Sequence, residues 1–485
     1  MLKKAAIVVA LLVIAVAGLY RFAGLRLALD GSGMRPRFVS RKPDYDALEA
    51  DRARQRQQSA AAPEAVTTEP APAAPASPAQ PAAAGTASSS EPLKADSRRD
   101  GYWPDFRGPN RDGRYDAAAI RTEWPQAGLP QLWKQPIGVG YASFVVADGR
   151  AFTIEQRRRQ EVAAAYNVET GRELWTHGWD AEFTESMGGD GPRATPTYHD
   201  GRVYALGAMG ELRCLDARTG ALVWRRNILE DNGASNLQWG MSGAPLIVDD
   251  KVIVLAGGPA GKSVVAYHKV TGERVWSALD DPQAYTSPML VTIAGVRQVL
   301  IVSARRVAGL TVDQGRLLWE YPWVNYNAIS VAQPLLLGND RIFMSASYGH
   351  GAAVFEVTRS GDGFVARTLW ENNRMKNKFT SSVLAQGYIY GLDEAILACL
   401  DAATGELKWK GGRYGYGQVL LAGDRLIVLT EDGDVAMVMA SPERYQEVAR
   451  FPAIEGKSWN HPVIAGGRLL VRNLREMAAF DIRPK

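Results

Sequence analysis

The chain is poor in the residues from which metal, redox and nucleotide sites are commonly built. Its 485 residues include two cysteines and five histidines, and no two histidines have the spacing of metal ligands on a helix. It contains no CxxC pair, no HExxH motif and no Walker-type phosphate loop. The sequence therefore assigns no metal ligand and no catalytic residue, and the function must be sought in its architecture.

The chain also lacks a large excess of charge. Its net charge is +4, which is too small to predict a nucleic-acid surface. Arg157, Arg158 and Arg159 form the one basic cluster of the region expected to be ordered, and they lie between two apolar stretches. We interpret them as a solvated turn rather than a phosphate site, and we predict no nucleic-acid partner.

What the chain does contain is a repeated motif in which a turn is followed by glycine and then, four residues later, by tryptophan. One copy reads Asp216-Ala-Arg-Thr-Gly-Ala-Leu-Val-Trp224. Self-similarity with a period of about 40–50 residues is typical of the blades of a β-propeller. The five copies occupy residues 167–175, 216–224, 268–276, 311–319 and 401–409.

A second pattern gives the number of blades. Alternating apolar stretches are interrupted eight times by a tight turn, as two-strand hairpins are. Eight such hairpins predict eight blades of four antiparallel strands. The turns lie near Gly149, Gly201, Asp250, Gly295, Asp340, Gly387, Asp424 and Gly467.

The ends of the chain predict how the ring closes. The eighth unit stops after Phe480, without its fourth strand, whereas an unassigned strand containing Trp133 precedes the first hairpin. We therefore predict an all-β, eight-bladed propeller over residues 101–485, closed by its N-terminal strand so that no sheet edge is left open. Its tryptophans are expected to pack blade against blade: Trp133, Trp175, Trp224, Trp276, Trp319, Trp370 and Trp409.

The two cysteines are predicted to be unpaired. Cys214 and Cys399 each lie six residues before a repeat glycine, so they hold the same place in two different blades. Equivalent places in non-adjacent blades are farther apart than the ~7 Å between Cα atoms that a disulfide allows. We expect both side chains to be small, buried and apolar in behaviour.

The first hundred residues are predicted to lie outside the propeller. Lys3 and Lys4 precede an apolar run over residues 5–20, so residues 1–25 form either one apolar membrane-anchor helix or a cleaved signal segment. Residues 26–100 are a linker, charged at first and then rich in Ala, Pro and Ser, and disordered over 59–90.

The charges that follow the apolar run favour a cytoplasmic propeller if the positive-inside rule is applied literally, but long domains are translocated in spite of them. We expect an inner-membrane protein of a bacterium, with its propeller in the periplasm or outside the cell.

The motif Leu-Asp-Ala-x-Thr-Gly-x-x-x-Trp resembles the repeat of quinoprotein-type propellers. That repeat occurs in pyrroloquinoline quinone (PQQ) alcohol dehydrogenases and in non-enzymatic relatives such as the outer-membrane protein assembly propeller. The resemblance covers about residues 101–485. Five segments further resemble a bacterial group of PQQ-binding-like propellers: 103–113, 189–196, 236–240, 375–379 and 457–462.

The resemblance implies the fold more strongly than it implies an activity. Dehydrogenase members carry a disulfide of adjacent cysteines over the quinone, a Glu/Asn/Asp set that binds calcium, and an aspartate base. This chain has no Cys-Cys pair, and the calcium set cannot be placed on it residue by residue. PQQ is thus the cofactor of an alternative function only.

A ligand site is predicted at one mouth of the channel, where the chain enters the innermost strand of each blade. Polar and aromatic side chains that converge on a concave mouth are the usual form of such a site, and the cations among them favour an anionic or quinone-like ligand. Alternatively, they only satisfy strand ends and channel water. The candidates are Arg193, Gln238, Trp239, Ser242, Tyr285, Asn327, Gln333, Lys378, Arg413, Trp459 and His461.

Three residues near this mouth could act as acid or base. They are Asp393, Glu394 and His461, which alternatively are two turn carboxylates and a histidine that caps a strand.

The leading hypothesis is a membrane-tethered, exported scaffold that binds an envelope protein or a small anionic ligand without catalysis. The alternative is a PQQ-dependent oxidoreductase that holds quinone and metal in the channel mouth. Assembly of outer-membrane proteins is a third possibility, which rests on the resemblance alone.

Overall fold

Eight sheets, each built on four antiparallel strands, form a ring, which confirms the predicted eight-bladed propeller. The computed structural model describes residues 13–20, 25–30, 33–38, 45–61, 100–325, 328–338 and 340–485. Before the ring come helix α1 (13–20), the hairpin of β1 (Leu25–Asp30) and β2 (Gly33–Phe38), helix α2 (Tyr45–Ala61), and strands β3 (Arg114–Tyr115) and β4 (Gln131–Pro136).

The first four blades each contain four consecutive strands, ordered from the channel outward. Blade 2 is followed by a short 3-10 helix at Glu230–Asn232. The strands are β5 (Val145–Ala147), β6 (Arg150–Arg157), β7 (Gln160–Asn167) and β8 (Glu173–Asp180) in blade 1; β9 (Thr197–His199), β10 (Arg202–Leu206), β11 (Glu211–Asp216) and β12 (Leu222–Asn227) in blade 2; β13 (Leu246–Val248), β14 (Lys251–Gly258), β15 (Lys262–His268) and β16 (Arg274–Ala278) in blade 3; and β17 (Met289–Ile293), β18 (Val296–Val302), β19 (Arg306–Thr311) and β20 (Leu317–Pro322) in blade 4.

The last four blades follow the same order, except that blade 8 takes its outer strand from the N-terminal side. The strands are β21 (Leu335–Gly338), β22 (Arg341–Ala346), β23 (Gly351–Ser360) and β24 (Gly363–Asn372) in blade 5; β25 (Val383–Ala385), β26 (Tyr388–Asp393), β27 (Ile396–Asp401) and β28 (Leu407–Arg413) in blade 6; β29 (Gln418–Ala422), β30 (Arg425–Leu429), β31 (Asp434–Met439) and β32 (Glu447–Pro452) in blade 7; and β33 (Val463–Ala465), β34 (Arg468–Arg472), β35 (Glu476–Asp481) and β4 in blade 8.

The ring closes as the sequence predicts. Strand β4 pairs antiparallel with β35, and Trp133 lies opposite Ala479. Strand β3 adds a feature that the sequence did not reveal, because it pairs in parallel with β29 and gives blade 7 a fifth, inner strand. The chain therefore crosses the channel before it joins the ring.

The repeat motif locks each turn to the tryptophan of the preceding blade. The Asp216 carboxylate accepts hydrogen bonds from the Thr219 backbone N–H at 2.8 Å and from the Thr219 hydroxyl at 2.7 Å, which fixes the turn. Gly220 follows with φ +74°, a conformation that favours glycine. The Trp175 indole N–H then donates to the Ala217 carbonyl at 3.0 Å, joining blade 1 to blade 2.

Six of the seven predicted packing tryptophans donate in this way to a carbonyl of the next blade. Trp319 differs, because its indole N–H donates to Gln298 of its own blade at 2.6 Å, although its ring packs near Phe355 of blade 5. The six pairs are Trp133–Val168, Trp175–Ala217, Trp224–Lys269, Trp276–Val312, Trp370–Ala402 and Trp409–Ser441.

The hydrophobic core lies between neighbouring blades rather than at the centre of the ring. One buried cluster joins Trp175 of blade 1 to Val203 of blade 2, and another joins Trp319 of blade 4 to Phe355 of blade 5. Cys214 and Cys399 are buried, unpaired members of two such clusters, as predicted. Burial raises the pKa of the Cys214 thiol to about 11.

The region predicted as a linker, residues 26–100, contains the β1–β2 hairpin and helix α2. Helix α2 is rich in good helix formers, and Asp46 lies in its first turn. The buried Arg52 side chain of this helix donates to the Pro136 carbonyl at 3.1 Å, and Arg56 pairs with Glu173. Helix α2 thus lies across the junction of blades 8 and 1.

Residues 1–12 and 21–24 of the predicted anchor lie outside the described residues, as do residues 31–32, 39–44 and 62–99 of the predicted linker. Within the described ranges, neither helix combines the length and the apolar character that a membrane crossing requires.

Candidate functional site

A segment before the first blade closes the channel from below. The Arg111 guanidinium donates to the carbonyls of Pro245 and Pro288, both at 2.6 Å, and Arg107 donates to the Ser382 carbonyl at 2.7 Å. These carbonyls belong to the entries of blades 3, 4 and 6. We call residues 103–116 the floor segment, since it ties distant blades together across the axis.

The local sequence explains how this segment turns so tightly. Both arginines have positive φ, 64° at Arg107 and 56° at Arg111, and two glycines accompany them. A Cβ atom at Gly113 would lie 2.4 Å from a terminal nitrogen of Arg107. Glycine is thus required there to let the chain wrap around the buried guanidinium.

Above the floor segment lies a cavity of about 500 Å³. It opens at the mouth that the sequence singles out, and His461 and Phe106 lie at its base. Eight of the eleven predicted ligand-binding residues line it, drawn from blades 2, 3, 4, 6 and 8: Arg193, Gln238, Trp239, Ser242, Tyr285, Lys378, Trp459 and His461.

Two of the other three predicted residues, Gln333 and Arg413, do not line the cavity. Gln333 is buried behind it, where its carboxamide accepts from the Ser287 N–H at 2.7 Å and donates to the Ser287 carbonyl at 3.1 Å. Arg413 is exposed at the end of β28. Asn327 lies outside the described residues.

Aromatic rings that the sequence did not single out supply much of the cavity wall. Tyr141 stacks on Trp459, with ring centroids 5.1 Å apart, and Phe379 lies 4.4 Å from the same indole. Both residues belong to the strand entries from which the candidates were chosen, so equal weight on aromatic and polar residues would have found them. Phe106 could not have been found this way, because it belongs to the floor segment and has no counterpart in the repeats.

Cations lie against the aromatic rings around the mouth. The Lys378 ammonium is 4.5 Å from the ring centroid of Tyr416, and the Lys457 ammonium is 4.3 Å from that of Trp459. The electron-rich faces of these rings stabilise the ammonium groups, as in other cation–π pairs. Arg193 lies in the same way over Phe183, at 4.6 Å.

No carboxylate lines the cavity among the residues that the structure describes there. Three carboxylates are held by residues of the wall. Glu431 accepts from the Trp459 indole N–H at 3.0 Å, and Glu394 accepts from the Ser347 hydroxyl at 3.0 Å. Glu185 accepts from the Gly188 backbone N–H, close to Arg193. The side chains that face the cavity therefore carry positive charge and apolar surface.

The three acid–base candidates do not form a catalytic group. Burial and the positive charge of Arg107 lower the pKa of His461 to about 3, so its imidazole is neutral at ordinary pH. Its two ring nitrogens lie 2.7 and 3.2 Å from the carbonyls of Pro462 and Val419. Asp393 pairs with Lys410 at 2.7 Å and does not line the cavity.

The tyrosines of the wall also remain neutral. Burial raises the pKa of Tyr285 to about 12, and it raises that of Tyr416 to about 12 with the help of the nearby Glu394 carboxylate. The cavity thus offers fixed positive charge, neutral hydroxyls and stacking surfaces, which is the chemistry of binding.

The donor set does not fit a calcium-bound quinone. Calcium takes six to eight oxygen ligands, most of them from carboxylates and carbonyls, and the described lining has no carboxylate. No group of three or more His, Cys, Asp or Glu side chains with metal-binding geometry occurs within the described ranges.

Comparisons with known proteins agree with the architecture. A dehydrogenase, 1-butanol dehydrogenase (cytochrome c) of Thauera butanivorans, is 34% identical over 101 residues, but the match covers 20% of this chain and 14% of that enzyme. Outer membrane protein assembly factor BamB of Burkholderia pseudomallei (strain K96243) is 22% identical over 371 residues, which is 67% of this chain and 92% of that protein.

Solved structures show the same fold at low identity. The structure of BamB from Moraxella catarrhalis superposes with a TM-score of 0.51 at 18% identity, covering 73% of this chain and 99% of that one. A quinohemoprotein alcohol dehydrogenase from Pseudomonas putida HK5 gives 0.55 at 12% identity, covering 80% and 81%. A family model described as outer membrane protein assembly factor BamB matches residues 158–411, more than half of the chain, and the protein therefore belongs to that family.

Proposed function

We propose that this protein is a non-catalytic binding propeller of the bacterial cell envelope. The observation that carries the proposal is the cavity above the floor segment, whose described lining presents cations and aromatic rings and no carboxylate. Membership of a family described by an outer-membrane assembly factor supports an envelope role. The channel mouth holds a small ligand or a segment of an envelope partner.

The N-terminal region attaches the propeller to the membrane. Residues 1–25 anchor the chain in the inner membrane and residues 26–100 lead to the propeller, which faces the periplasm. A fusion of alkaline phosphatase to the C-terminus tests this arrangement, because that enzyme is active only after export. An inactive phosphatase fusion, together with an active fusion to a reporter that works only in the cytoplasm, would contradict it.

The alternative, a PQQ-dependent oxidoreductase, is favoured by the short match to dehydrogenases. Reconstitution separates the two functions. The full chain, purified in detergent, is incubated with PQQ and Ca²⁺ and assayed for dye reduction with alcohols and sugars. We expect neither dye reduction nor a bound quinone absorbance, and turnover in this assay would reject the proposed function.

A partner is sought by cross-linking in intact envelopes. We expect a full chain with a photoreactive residue in place of Met187, which is exposed on the rim of the cavity, to cross-link to an envelope protein. A photoreactive residue at Leu222, which is exposed on the outer strand of blade 2, serves as the control.

A further inference from the structure

We infer that residues 184–190 form a lid over the cavity, which swings aside to let a ligand pass. The lid is the middle of the connection between β8 and β9, and its residues Met187 and Gly188 line the cavity. The inference rests on the proposed function, because the lid serves binding in the same cavity. It follows from how the lid is hinged, how it keeps its shape and how it is held shut.

The two ends of the lid lie side by side, as the ends of a hinged loop do. The Gly191 N–H donates to the Phe183 carbonyl at 3.0 Å, and the Phe183 N–H donates to the Gln156 carboxamide at 2.8 Å. A compact loop whose ends lie together can turn about this neck without moving the strands on either side.

The lid is held in shape by hydrogen bonds of its own. The Glu185 carboxylate accepts from the backbone N–H of Met187 at 2.9 Å and from that of Gly188. The Glu185 carbonyl accepts from the Gly189 N–H at 3.1 Å, and its N–H donates to the Asp190 carboxylate at 3.1 Å. These hydrogen bonds run within the lid, so none of them has to break when the lid moves as a unit.

Arg193 holds the lid at its base. Its guanidinium donates to the carbonyls of Gly191 and Gly189, the second at 2.5 Å. Arg193 belongs to the same connection between β8 and β9, and its charge lies near the carboxylates of Glu185 and Asp190. These contacts therefore lie on the hinge side of the lid, where a swinging motion displaces atoms least.

The tip of the lid is fastened to the entries of blades 1 and 8 at the carbonyl of Gly188. This oxygen accepts from the Lys457 ammonium at 2.8 Å and from the Tyr141 hydroxyl. Gly188 also lies beside the Trp239 ring in the entry of blade 3, so the lid reaches across part of the mouth. Such hydrogen bonds contribute little net free energy, because water can replace either partner, and this latch therefore opens readily.

Access of a thiol reagent to the cavity tests the lid without a known ligand. Ser242, which lines the cavity, is replaced by cysteine in the full chain, and the new thiol is distinguishable because Cys214 and Cys399 are fully buried. The rate of labelling is measured with a bulky reagent, fluorescein maleimide, and with a small one, methyl methanethiosulfonate. The small reagent controls for the reactivity of the thiol itself.

Two further substitutions release the latch. Tyr141→Phe removes the hydroxyl and keeps the ring that stacks on Trp459, and Lys457→Met removes the ammonium group. We expect each to raise the labelling rate of fluorescein maleimide about fivefold, as the loss of one hydrogen bond implies, and to leave that of the small reagent within about twofold. Lys262→Met, at the start of β15 and outside the cavity lining, is the matched control and should change neither rate.

Hydrogen exchange separates a swinging lid from an unfolded one. The Gly189 N–H bonds within the lid, so its protection in Tyr141→Phe should equal that in the parent chain. Loss of this protection together with faster labelling would mean that the loop unfolds, which overturns the lid as a moving unit. Unchanged labelling by fluorescein maleimide in both Tyr141→Phe and Lys457→Met would overturn the inference as well.

The outcomes also separate the lid from the proposed function. If labelling is unchanged while cross-linking through position 187 still finds an envelope partner, the lid is wrong and the binding function stands. If Tyr141→Phe speeds labelling but the chain reconstituted with PQQ and Ca²⁺ reduces dye, the lid stands and the proposed function is rejected.

Discussion

Gly220 of blade 2 lies against the face of the Trp175 indole of blade 1. A Cβ atom at position 220 would come within 2.5 Å of Cε3 of that ring. The same indole donates its N–H to the carbonyl of Ala217, in the turn that Gly220 ends. Glycine and tryptophan therefore recur together because each blade places its turn on the ring of the preceding blade.

Gly220→Ala should destabilise the propeller more than an ordinary glycine substitution in a turn. The new methyl group meets a buried ring that cannot move aside, and the backbone at φ +74° is strained for alanine. We expect a loss of about 2–4 kcal/mol in the free energy of unfolding, measured by urea denaturation, from strain and overpacking together.

Gly201→Ala is the matched control for this substitution. Gly201 also has a left-handed backbone, φ +69°, and lies in the same blade, but a Cβ atom there would have no other atom within 4 Å. The Gly201→Ala variant should lose only roughly 1 kcal/mol of unfolding free energy, because of backbone strain alone. Equal losses for the two variants would show that the contact with Trp175 contributes nothing.

The sequence predicted the ring because the contacts between blades are repeated. Each copy of the motif carries its own turn, glycine and tryptophan, so the signal accumulates over the chain. Trp319 shows the limit of this reasoning, since the turn of blade 5 has no repeat glycine for it to pack on, and its indole bonds instead to Gln298.

The floor segment and helix α2 could not be predicted in the same way. Arg107 and Arg111 have no counterparts in the repeats. The blade carbonyls to which they donate lie more than 100 residues away in the chain. Helix α2 has no apolar stripe, because it docks through Arg52 and Arg56. Sequence periodicity predicts repeated apolar contacts, whereas the floor segment and helix α2 are held by polar contacts that each occur only in one place.

Arg111→Ala should be strongly destabilising. Arg111 pairs with Asp105 at 2.7 Å and donates to carbonyls of blades 3 and 4. Its loss leaves the buried Asp105 carboxylate without its ion-pair partner and removes a hydrogen bond from each of the two carbonyls, which costs about 3–5 kcal/mol. The loss of stability is measured as a lower midpoint of urea denaturation in Arg111→Ala than in wild type.

Arg114→Ala is the control for the floor segment, because Arg114 is partly exposed and its loss should cost about 1 kcal/mol or less.

Burial raises the pKa of Asp105, so Asp105→Asn combined with Arg111→Met should recover part of the stability that is lost with Arg111. No recovery in the double variant would mean that the carbonyl contacts, and not the ion pair, hold the segment.

Glu161 should make stability depend on pH. Its carboxyl is buried in blade 1, where it accepts from the Ala208 N–H at 2.8 Å and the Trp179 indole at 3.1 Å, and burial raises its pKa to about 7. Between its unfolded pKa near 4.5 and pH 7, the folded state binds the proton more tightly than the unfolded state does. Stability from this group therefore falls as pH rises through that window.

The test compares wild type with Glu161→Gln in urea at pH 5 and pH 8. We expect wild type to lose on the order of 2–3 kcal/mol relative to the variant between these two pH values. Glu182→Gln, at an exposed carboxylate, should follow wild type. A difference between wild type and Glu161→Gln that is constant with pH would rule out the titration of Glu161.

Helix α2 should detach when Arg52 is removed. Arg52 is buried, bonds to Glu49 at 2.8 Å and to the Pro136 carbonyl at 3.1 Å, and lies beside the buried Glu173 carboxylate at the junction of blades 8 and 1. Arg52→Ala should lower the hydrogen-exchange protection of α2 by about tenfold or more, since the docked helix loses its buried charge. Arg54→Ala, which removes an exposed arginine from the same helix, should leave that protection unchanged. Equal loss in both variants would mean that helix propensity, and not the contact with the ring, determines the order of α2.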